Sequence, residues 1–452
     1  MASQLARTFR LYDLIMIVIG TVIGSGIFIV PAVVLRQTEG YVGVALLVWL
    51  VAGALSLLGA LTFGELGAML PHAGGLYVYI RDAFGALPAF LYGWTLFFIM
   101  GSGSVATLAV AFSAYLNQII PLSPLVARVV SMVMILIVAL INIRGARKSA
   151  SVQNWTTGFK AGAILIMSAA LLATGTGLSS LSAQLWPASF NLSLLSGIGL
   201  AMIGVLWAYE GWQYLTFSAG ETLDPQRTFA RGMIIGTAAL IGIYLFANFA
   251  YLAALGPQAA AQSERVAAEA VSAIFGPAAG KLIAAAILVS MFSAANGVTL
   301  TASRVYYAMA ADGVFFRRLG EVHARFGTPA LAVAWSSLLA IVMAATGTFE
   351  QLLTYVVFAG WMFYALGAAG IFVYRRRHPD WPRPFRVPGY PFTPVLFMLS
   401  ALAIVANTII SQPGRALVGL AVVFLGAPAF FFWRRLRPQQ IVSVTDASAH
   451  SV

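Results

Sequence analysis

Long apolar runs constrain this chain more than any other feature of its sequence. Hydrophobic residues make up 60% of the chain and charged residues only 9%, far below the roughly 25% charged residues of soluble domains. Helices of about 20 apolar residues cross the hydrocarbon core of a bilayer. The sequence therefore predicts an all-α polytopic membrane protein with twelve transmembrane helices, near residues 11–35, 43–70, 86–116, 124–143, 152–175, 194–219, 231–255, 277–311, 329–346, 351–374, 393–411 and 415–433.

The distribution of basic residues predicts the orientation of these spans. If the N-terminus is cytoplasmic, twenty Lys and Arg residues fall in inner segments and five in outer ones, which is a strong positive-inside bias. We therefore expect a multi-pass protein of the cell membrane (inner or plasma membrane), with a cytoplasmic N-terminus (1–10), a retained first span and a cytoplasmic tail (438–452). The net charge of +12 then reflects topology, and no nucleic-acid partner is expected.

Several classes of site are excluded by composition. The chain has no cysteine, so it forms no disulfide, no thiolate metal site and no disulfide link to a heavy subunit. Its four histidines (His72, His323, His378 and His450) fall in predicted loops or the tail, and none has metal-ligand spacing from another. We expect no metal, no cofactor and no catalytic residues. A transporter that has lost transport and acts as a sensor is not separated from an active one by the sequence.

The first span is interrupted by Gly20, Gly24 and Gly26 near its midpoint. Glycine costs a helix interior about 1 kcal/mol relative to alanine, and unwound backbone at membrane depth is tolerated only beside protein or a watery cavity. Amides at the start of the second half-helix attract a carboxylate, and carbonyls at the end of the first, that of Ile23 among them, attract an ammonium. The segment 24–27 is a candidate amino acid cradle. A Gly-x3-Gly helix-packing face is the alternative.

The sixth span repeats this pattern, because Glu210 and Gly211 interrupt its apolar run near the middle. Interrupted helices five spans apart are typical of an inverted repeat with substrate at the bilayer midplane. In the fifth span lies Lys160, and an ammonium buried at this depth costs at least about 2.5 kcal/mol. Either it has a function there or it reaches the nearer interface along its aliphatic stem.

Two cytoplasmic segments carry further expectations. The segment 71–77 is predicted to form a turn, followed by a short interfacial helix that ends near Arg81. Glu221 and Asp224 are expected to cap the inner end of the sixth span and to pair with Arg227 or Arg231.

Six motifs in order resemble the amino acid, polyamine and organocation transporter superfamily, and within it bacterial relatives of the L-type amino acid transporters. The resemblance covers roughly residues 8 to 435. The motifs lie at residues 20–28, 71–79, 207–212 (followed by Glu221 and Asp224), 293–297 (leading to Ser303 and Arg304), 312–313 and 383–391.

The resemblance implies a 5+5 inverted-repeat bundle that moves amino acids by alternating access. Its parts would be broken helices 1 and 6, repeats at 11–175 and 194–374, and two further helices at 393–433. Carried over by position, Ile23, Ser25, Gly26 and Ile27 would hold the backbone ends of the substrate. The carbonyls around Trp207 and Ala208 would complete the ammonium site, and the Trp207 ring would be the gate. Lys160 would replace a coupling cation.

Two transport hypotheses follow from these residues. The first is a sodium-independent exchanger of small or neutral L-amino acids, in which Lys160 supplies the positive charge. The second is proton-coupled uptake of amino acids, or uptake of cationic amino acids or polyamines, with Glu210 as the proton or cation site. In L-type transporters the position of Glu210 is often occupied by a small residue, so this acid is a departure from the family pattern.

Overall fold

The computed structural model describes residues 7–174 and 185–436, which are almost entirely helical. An isolated parallel β-bridge joins Phe9 to Thr222. In chain order the α-helices are α1 (Leu11–Val22), α2 (Gly26–Gln37), α3 (Val42–Met69), α4 (Leu76–Phe84), α5 (Ala86–Thr95), α6 (Ser102–Ile119), α7 (Pro124–Ile143), α8 (Ala146–Thr174), α9 (Leu192–Ala208), α10 (Pro225–Gln262), α11 (Val266–Phe275), α12 (Pro277–Ala311), α13 (Ala330–Thr346), α14 (Phe349–Arg377), α15 (Phe392–Ser411) and α16 (Pro413–Leu436).

The helices confirm an all-helical polytopic membrane protein. Within the described residues, ten are long and apolar enough to cross a membrane, and the bent pair α1 and α2 raises the number to eleven. The remaining predicted span, 329–346, corresponds to the apolar helix α13, which has 17 residues and lies at the short end of the range for spanning helices. The total of twelve spans therefore stays a prediction, as does the predicted repeat.

The predicted break in the first span is confirmed. Helix α1 ends at Val22, α2 begins at Gly26, and the two are bent by 47°. Between them Ile23 has an extended backbone conformation (φ −69°, ψ 94°). The sixth span is interrupted as well, since α9 ends at Ala208 and a 3-10 helix over Trp212–Glu221 continues the chain. Gly211, with φ at +132°, supplies a backbone conformation that side chains with a Cβ rarely adopt.

Two irregularities were not predicted from the sequence. A π-helical turn over Leu96–Gly101 joins α5 to α6 inside the third span, and such turns recur at functional sites. Helix α10 is kinked where Gly256 leaves the helical conformation ahead of Pro257, because proline removes a backbone donor and clashes with the preceding turn.

A buried ion pair joins α12 to the end of the sixth span. Arg304 of α12 contacts both carboxylate oxygens of Glu221, at 2.8 and 3.2 Å, and both side chains are buried. The sequence-based expectation that Glu221 pairs with Arg227 or Arg231 is thus wrong; Asp224 is the residue that contacts Arg227, at 3.9 Å. The backbone carbonyl of Glu221 also accepts from the amides of Thr8 and Phe9, which fixes the N-terminal segment to the end of the sixth span.

A second ion-pair cluster lies beside the first. Arg81 of α4 donates to Asp312 and Asp82 at 2.7 Å each, and Tyr77 donates to Asp312 at 2.8 Å. Burial lowers the pKa of Arg81, but the two carboxylates outweigh burial and hold the pKa above its ordinary value. The predicted short helix ending near Arg81 is confirmed as α4. These contacts tie the segment after the second span to the end of α12.

Candidate functional site

The two interruptions lie against each other in the centre of the bundle. The Thr21 hydroxyl, at the end of α1, donates to the Gly211 carbonyl at 3.1 Å. The Tyr244 hydroxyl of α10 lies 3.1 Å from the Val22 carbonyl and 2.9 Å from the Ala208 carbonyl, so one side chain contacts the last turns of both broken helices. A Cβ on Gly26 would lie 2.5 Å from Cα of Ala208. This close approach requires glycine at position 26.

A cavity opens between the two interruptions. Its volume is about 20 Å³, which is room for about one water molecule, so the two interruptions are closed against each other in this conformation. Of the predicted site residues, Ser25, Gly26, Trp207 and Glu210 line it, whereas Ile23, Ile27 and Ala208 lie beside it in the chain. The full lining is Thr21, Val22, Gly24, Ser25, Gly26, Ser104, Leu108, Trp207, Glu210, Tyr214 and Val298.

One wall of the cavity is the N-terminus of α2. The first amides of a helix have no acceptor within the helix, and the helix dipole places partial positive charge there. Beside these amides the hydroxyl of Ser25 is buried and has no hydrogen-bond partner among the described residues. Buried hydroxyls normally have a partner, so this group is available to a ligand. Together the amides and the hydroxyl suit a carboxylate.

Lys160 donates hydrogen bonds to the backbone at the break in the first span. Its ammonium is buried and donates to the carbonyls of Gly20 at 2.7 Å and Ile23 at 2.5 Å. The carbonyl of Ser290 in α12 lies 3.4 Å away. The lysine is therefore directed into the bundle and not towards an interface, so the alternative that it snorkels is wrong. A positive group against the carbonyls that end a half-helix complements the negative end of the helix dipole.

Some carbonyls predicted to hold a ligand ammonium are already bonded in this conformation. The Ile23 carbonyl accepts from Lys160 and from the Ser290 hydroxyl, the latter at 3.1 Å. The Ala208 carbonyl accepts from Tyr244. A carbonyl oxygen has two lone pairs, so the two donors on Ile23 fill its capacity. An ammonium bound in the cavity shares these oxygens with their present partners or contacts the nearby carboxylate of Glu210.

Glu210 brings an acidic group into the cavity. It is buried, and its Oε1 accepts from Nε2 of Gln213 and from the hydroxyl of Tyr364, both at 2.5 Å. The side-chain oxygen of Gln213 in turn accepts from the Gly211 amide at 3.2 Å. None of the ion pairs found in the described ranges involves Glu210. The carboxyl group is thus held by neutral donors alone.

Sequence reasoning missed the residues that support these groups. Tyr244, Ser290 and Tyr364 each donate a hydrogen bond to an interrupted span, and Ser104 bonds to Tyr214 at 3.3 Å on the cavity wall. Polar side chains within apolar spans carry a weak signal, since lipid-facing positions avoid them. That signal does not distinguish these residues from serines and threonines that bond only to their own helix, such as Thr237.

Several known proteins are similar to this chain over most of its length. The family model described as amino acid permease matches residues 9–427. The chain is 30% identical over 439 residues to the serine/threonine exchanger SteT of Bacillus subtilis, covering 95% of this chain and 97% of that protein. It is 31% identical over 436 residues to the b(0,+)-type amino acid transporter 1 of Mus musculus (95% and 88%), and 32% identical over 436 residues to the cystine/glutamate transporter of Homo sapiens (95% and 86%).

Proposed function

The chain belongs to the amino acid permease family of membrane transporters, and we propose that it exchanges small neutral L-amino acids across the cell membrane without sodium. The family accounts for amino acid transport and places the chain among transporters, not enzymes. The observation that carries the finer proposal is the position of Lys160. Its ammonium contacts oxygen atoms from both the first break and α12.

Sodium independence rests on the chemistry of those oxygens. The carbonyls of Gly20, Ile23 and Ser290 converge on the Lys160 ammonium, and the Ser290 hydroxyl donates to the Ile23 carbonyl. Hard cations prefer such all-oxygen surroundings. A resident ammonium supplies the positive charge that the oxygens require, so no sodium ion is needed to hold the break against α12.

The substrate lies between the two interruptions. We assign its carboxylate to the N-terminus of α2, with Ser25 and the amides of Gly26 and Ile27 as donors. Its ammonium is assigned to carbonyls near Ile23, Trp207 and Ala208, with Glu210 close by. The Trp207 ring lines the cavity and serves as the gate. The name of the serine/threonine exchanger among the relatives favours a small side chain, and the cavity of about 20 Å³ has to widen to admit any amino acid.

The architecture assigned to this function is an inverted repeat. The two halves are 11–175 and 194–374, followed by the pair of helices within 393–433, and both termini are cytoplasmic. The contact between the two interruptions, through Thr21 and Gly211, supports this arrangement. Because the chain has no cysteine, single cysteines at Arg10 and Gln412 can be labelled with an impermeant maleimide on intact cells. Labelling at Gln412 alone is expected, and labelling at Arg10 alone would reverse the topology.

Exchange is tested with purified protein in liposomes. Uptake of labelled L-serine, L-leucine and L-arginine is followed separately into vesicles that are empty or preloaded with unlabelled L-serine, with equal pH and no sodium on either side. We expect uptake of serine only into preloaded vesicles. No uptake under these conditions, with uptake restored when an inward sodium gradient is imposed, would remove the role assigned to Lys160.

A second candidate function rests on Glu210. A buried acid with neutral donors only is a typical proton or cation site within a membrane protein. Proton-coupled uptake, or uptake of cationic amino acids or polyamines, would then use its carboxylate. Uptake into empty vesicles driven by acid outside, or uptake of arginine alone, would make this the better assignment. Serine exchange at equal pH on both sides would count against it.

A further inference from the structure

A second cavity lies on the outer surface of the bundle, away from the two interruptions. It lies between the π-helical turn Leu96–Gly101, the 3-10 turn Arg317–Gly320 and helix α13. Its volume is about 620 Å³, against about 20 Å³ for the central cavity. We call it the arginine groove, because Arg317 and Arg318 are the charged residues in its lining.

The long wall of the arginine groove is apolar and faces outward. On α13 the side chains of Trp335, Leu338 and Val342 are 56%, 49% and 52% exposed, and the opposite wall includes Phe98. At 1.5 Å of rise per residue, the wall from Trp335 to Val342 extends for about 10 Å along the helix. Helix α13 starts at Ala330 and contacts the 3-10 turn that carries the two arginines, so we take the wall to run from the arginines towards the bilayer centre.

The other end of the groove is charged and unpaired. Arg317 and Arg318 are exposed, and neither takes part in an ion pair with any residue that the structure describes. The acid nearest in sequence, Glu321, is likewise outside these pairs. Guanidinium groups match the oxygens of a phosphate in geometry and charge. A groove with two unpaired guanidinium groups at one end and an apolar wall at the other has the features that bind an amphipathic anion.

We propose that the arginine groove binds one anionic phospholipid. Arg317 and Arg318 hold its headgroup phosphate, and an acyl chain lies against Phe98, Trp335, Leu338 and Val342. The chemistry selects this occupant, because basic pockets at the ends of membrane helices bind anionic headgroups. A zwitterionic lipid brings a cationic group to the same two arginines and is disfavoured. A soluble peptide does not reach the part of the wall that lies at membrane depth.

The groove is connected to the central cavity through a short stretch of chain. The carbonyl of Phe97, in the groove wall, accepts from the Ser102 hydroxyl at 2.7 Å, and that hydroxyl also lies 3.1 Å from the Ser336 carbonyl of α13. Two residues further along, Ser104 lines the central cavity and bonds to Tyr214. A lipid that holds the π-helical turn and α13 together therefore stabilises one arrangement of the cavity wall.

The test measures quenching of Trp335 fluorescence by brominated lipids. Full-length protein in detergent is titrated with phosphatidylglycerol or phosphatidylcholine that carry the same dibrominated chains. The contribution of Trp335 is the difference between the wild-type chain and Trp335→Phe. We expect saturable quenching of Trp335 by phosphatidylglycerol at concentrations where phosphatidylcholine gives little. Equal quenching by the two lipids would overturn the proposal, and this comparison needs no arginine variant.

Charge variants locate the headgroup. Each arginine near an anionic headgroup contributes about 1 kcal/mol, so the double variant Arg317→Gln and Arg318→Gln is expected to weaken phosphatidylglycerol binding about 30-fold. The matched control is Arg325→Gln, an exposed arginine close in sequence that does not line the groove, and it should leave binding unchanged. Equal weakening in the control would show that overall charge, not the groove, attracts the lipid. Trp335 protected from both lipids in a dimeric protein would instead identify a second copy as the occupant.

Discussion

The two interrupted spans both leave backbone groups without helical partners, and a side chain of opposite charge lies at each break. In the first span, the carbonyls that α1 leaves unpaired at Gly20 and Ile23 are bonded by a buried ammonium from another helix. In the sixth span the break contains an acidic residue, Glu210, which is held by neutral donors. The ion pair of this span lies eleven residues further along the chain, between Glu221 and Arg304. The first break is therefore held by Lys160, a charged residue of another helix. The second break itself carries the charged residue, Glu210, which lines the cavity.

The difference suggests a division of roles. A break bonded by Lys160 and Ser290 is anchored to α8 and α12 and is suited to bind the same ligand group in each cycle. The acid at the second break is buried without a cationic partner among the described residues. Its hydrogen bonds can be rearranged when a ligand enters. Four substitutions test this contrast.

The largest effect is expected for Glu221→Gln, at the C-terminal end of the sixth span. This change leaves the buried guanidinium of Arg304 without its counter-ion, and removal of one partner of a buried pair costs about 3–5 kcal/mol. A fall in the melting temperature of the detergent-solubilised protein measures it. The matched control is Asp224→Asn, because Asp224 forms an exposed pair with Arg227 at 3.9 Å and exposed pairs contribute at most about 1 kcal/mol. Equal falls in melting temperature would show that the buried Arg304 pair contributes no more to stability than the exposed pair.

The next largest effect is expected for Lys160→Ala, which removes the ammonium that bonds the carbonyls of the first break. Two hydrogen bonds from a charged donor are lost, and each contributes about 1.5–3 kcal/mol, partly offset by the desolvation cost that the ammonium no longer incurs. We expect exchange to fall at least 10-fold while the protein still inserts. Lys281→Ala, which removes an exposed lysine from α12, should exchange normally. Unaltered exchange in Lys160→Ala would show that the first break does not need an external charge.

Gly26→Ala tests how closely the two breaks must approach. The new Cβ would lie 2.5 Å from Ala208, and overpacking of this kind costs about 1–3 kcal/mol. Because the clash falls at the cavity wall, we expect loss of substrate affinity beyond the loss of stability. The control is Gly162→Ala in α8, where an added Cβ would meet nothing within 4 Å. If the two variants bind substrate alike, the closeness of the breaks is not required for the site.

The smallest effect on stability is expected for Glu210→Gln. An amide oxygen accepts from Gln213 and Tyr364 as the carboxylate does, so the change in the free energy of unfolding should stay below about 1 kcal/mol. Transport separates the two candidate functions. Exchange with an unchanged pH profile supports the neutral exchanger, whereas a profile that becomes flat identifies Glu210 as the proton site. Tyr364→Phe, which removes one donor and keeps the acid, serves as the comparison.

Sequence reasoning located the spans and the breaks because both depend on local pattern. Apolar length predicted the helix bounds to within a few residues except at two spans: 152–175 begins earlier, at Ala146 of α8, and 231–255 extends as α10 over Pro225–Gln262. Glycines within the apolar run of the first span indicated the break at Ile23. The family was recognised from motifs, and the comparisons confirm it. Sequence reasoning did not predict which side chains contact each other across the bundle. Glu221 was assigned to neighbours in sequence, yet it binds Arg304, 83 residues away, because burial favours a partner that only the packed fold supplies.

The supporting side chains were hidden for the same reason. Tyr364 and Ser290 are separated from the groups that they bond by 154 and 267 residues. The roles assigned to Ile23, Ser25, Gly26, Ile27, Trp207, Ala208 and Glu210 stay predictions. Their positions around or beside one cavity support those roles, and the variants described above test three of the contacts directly.

The Tyr244 hydroxyl offers a way to watch the two broken helices move. It has a single proton, yet it lies within hydrogen-bonding distance of the Val22 carbonyl and of the Ala208 carbonyl, so it cannot satisfy both fully at once. Any shift of one helix end past the other changes which oxygen receives the proton. A fluorinated tyrosine at this position would report that choice as a chemical shift, and one resonance would follow the relative displacement of the two helices during a transport cycle.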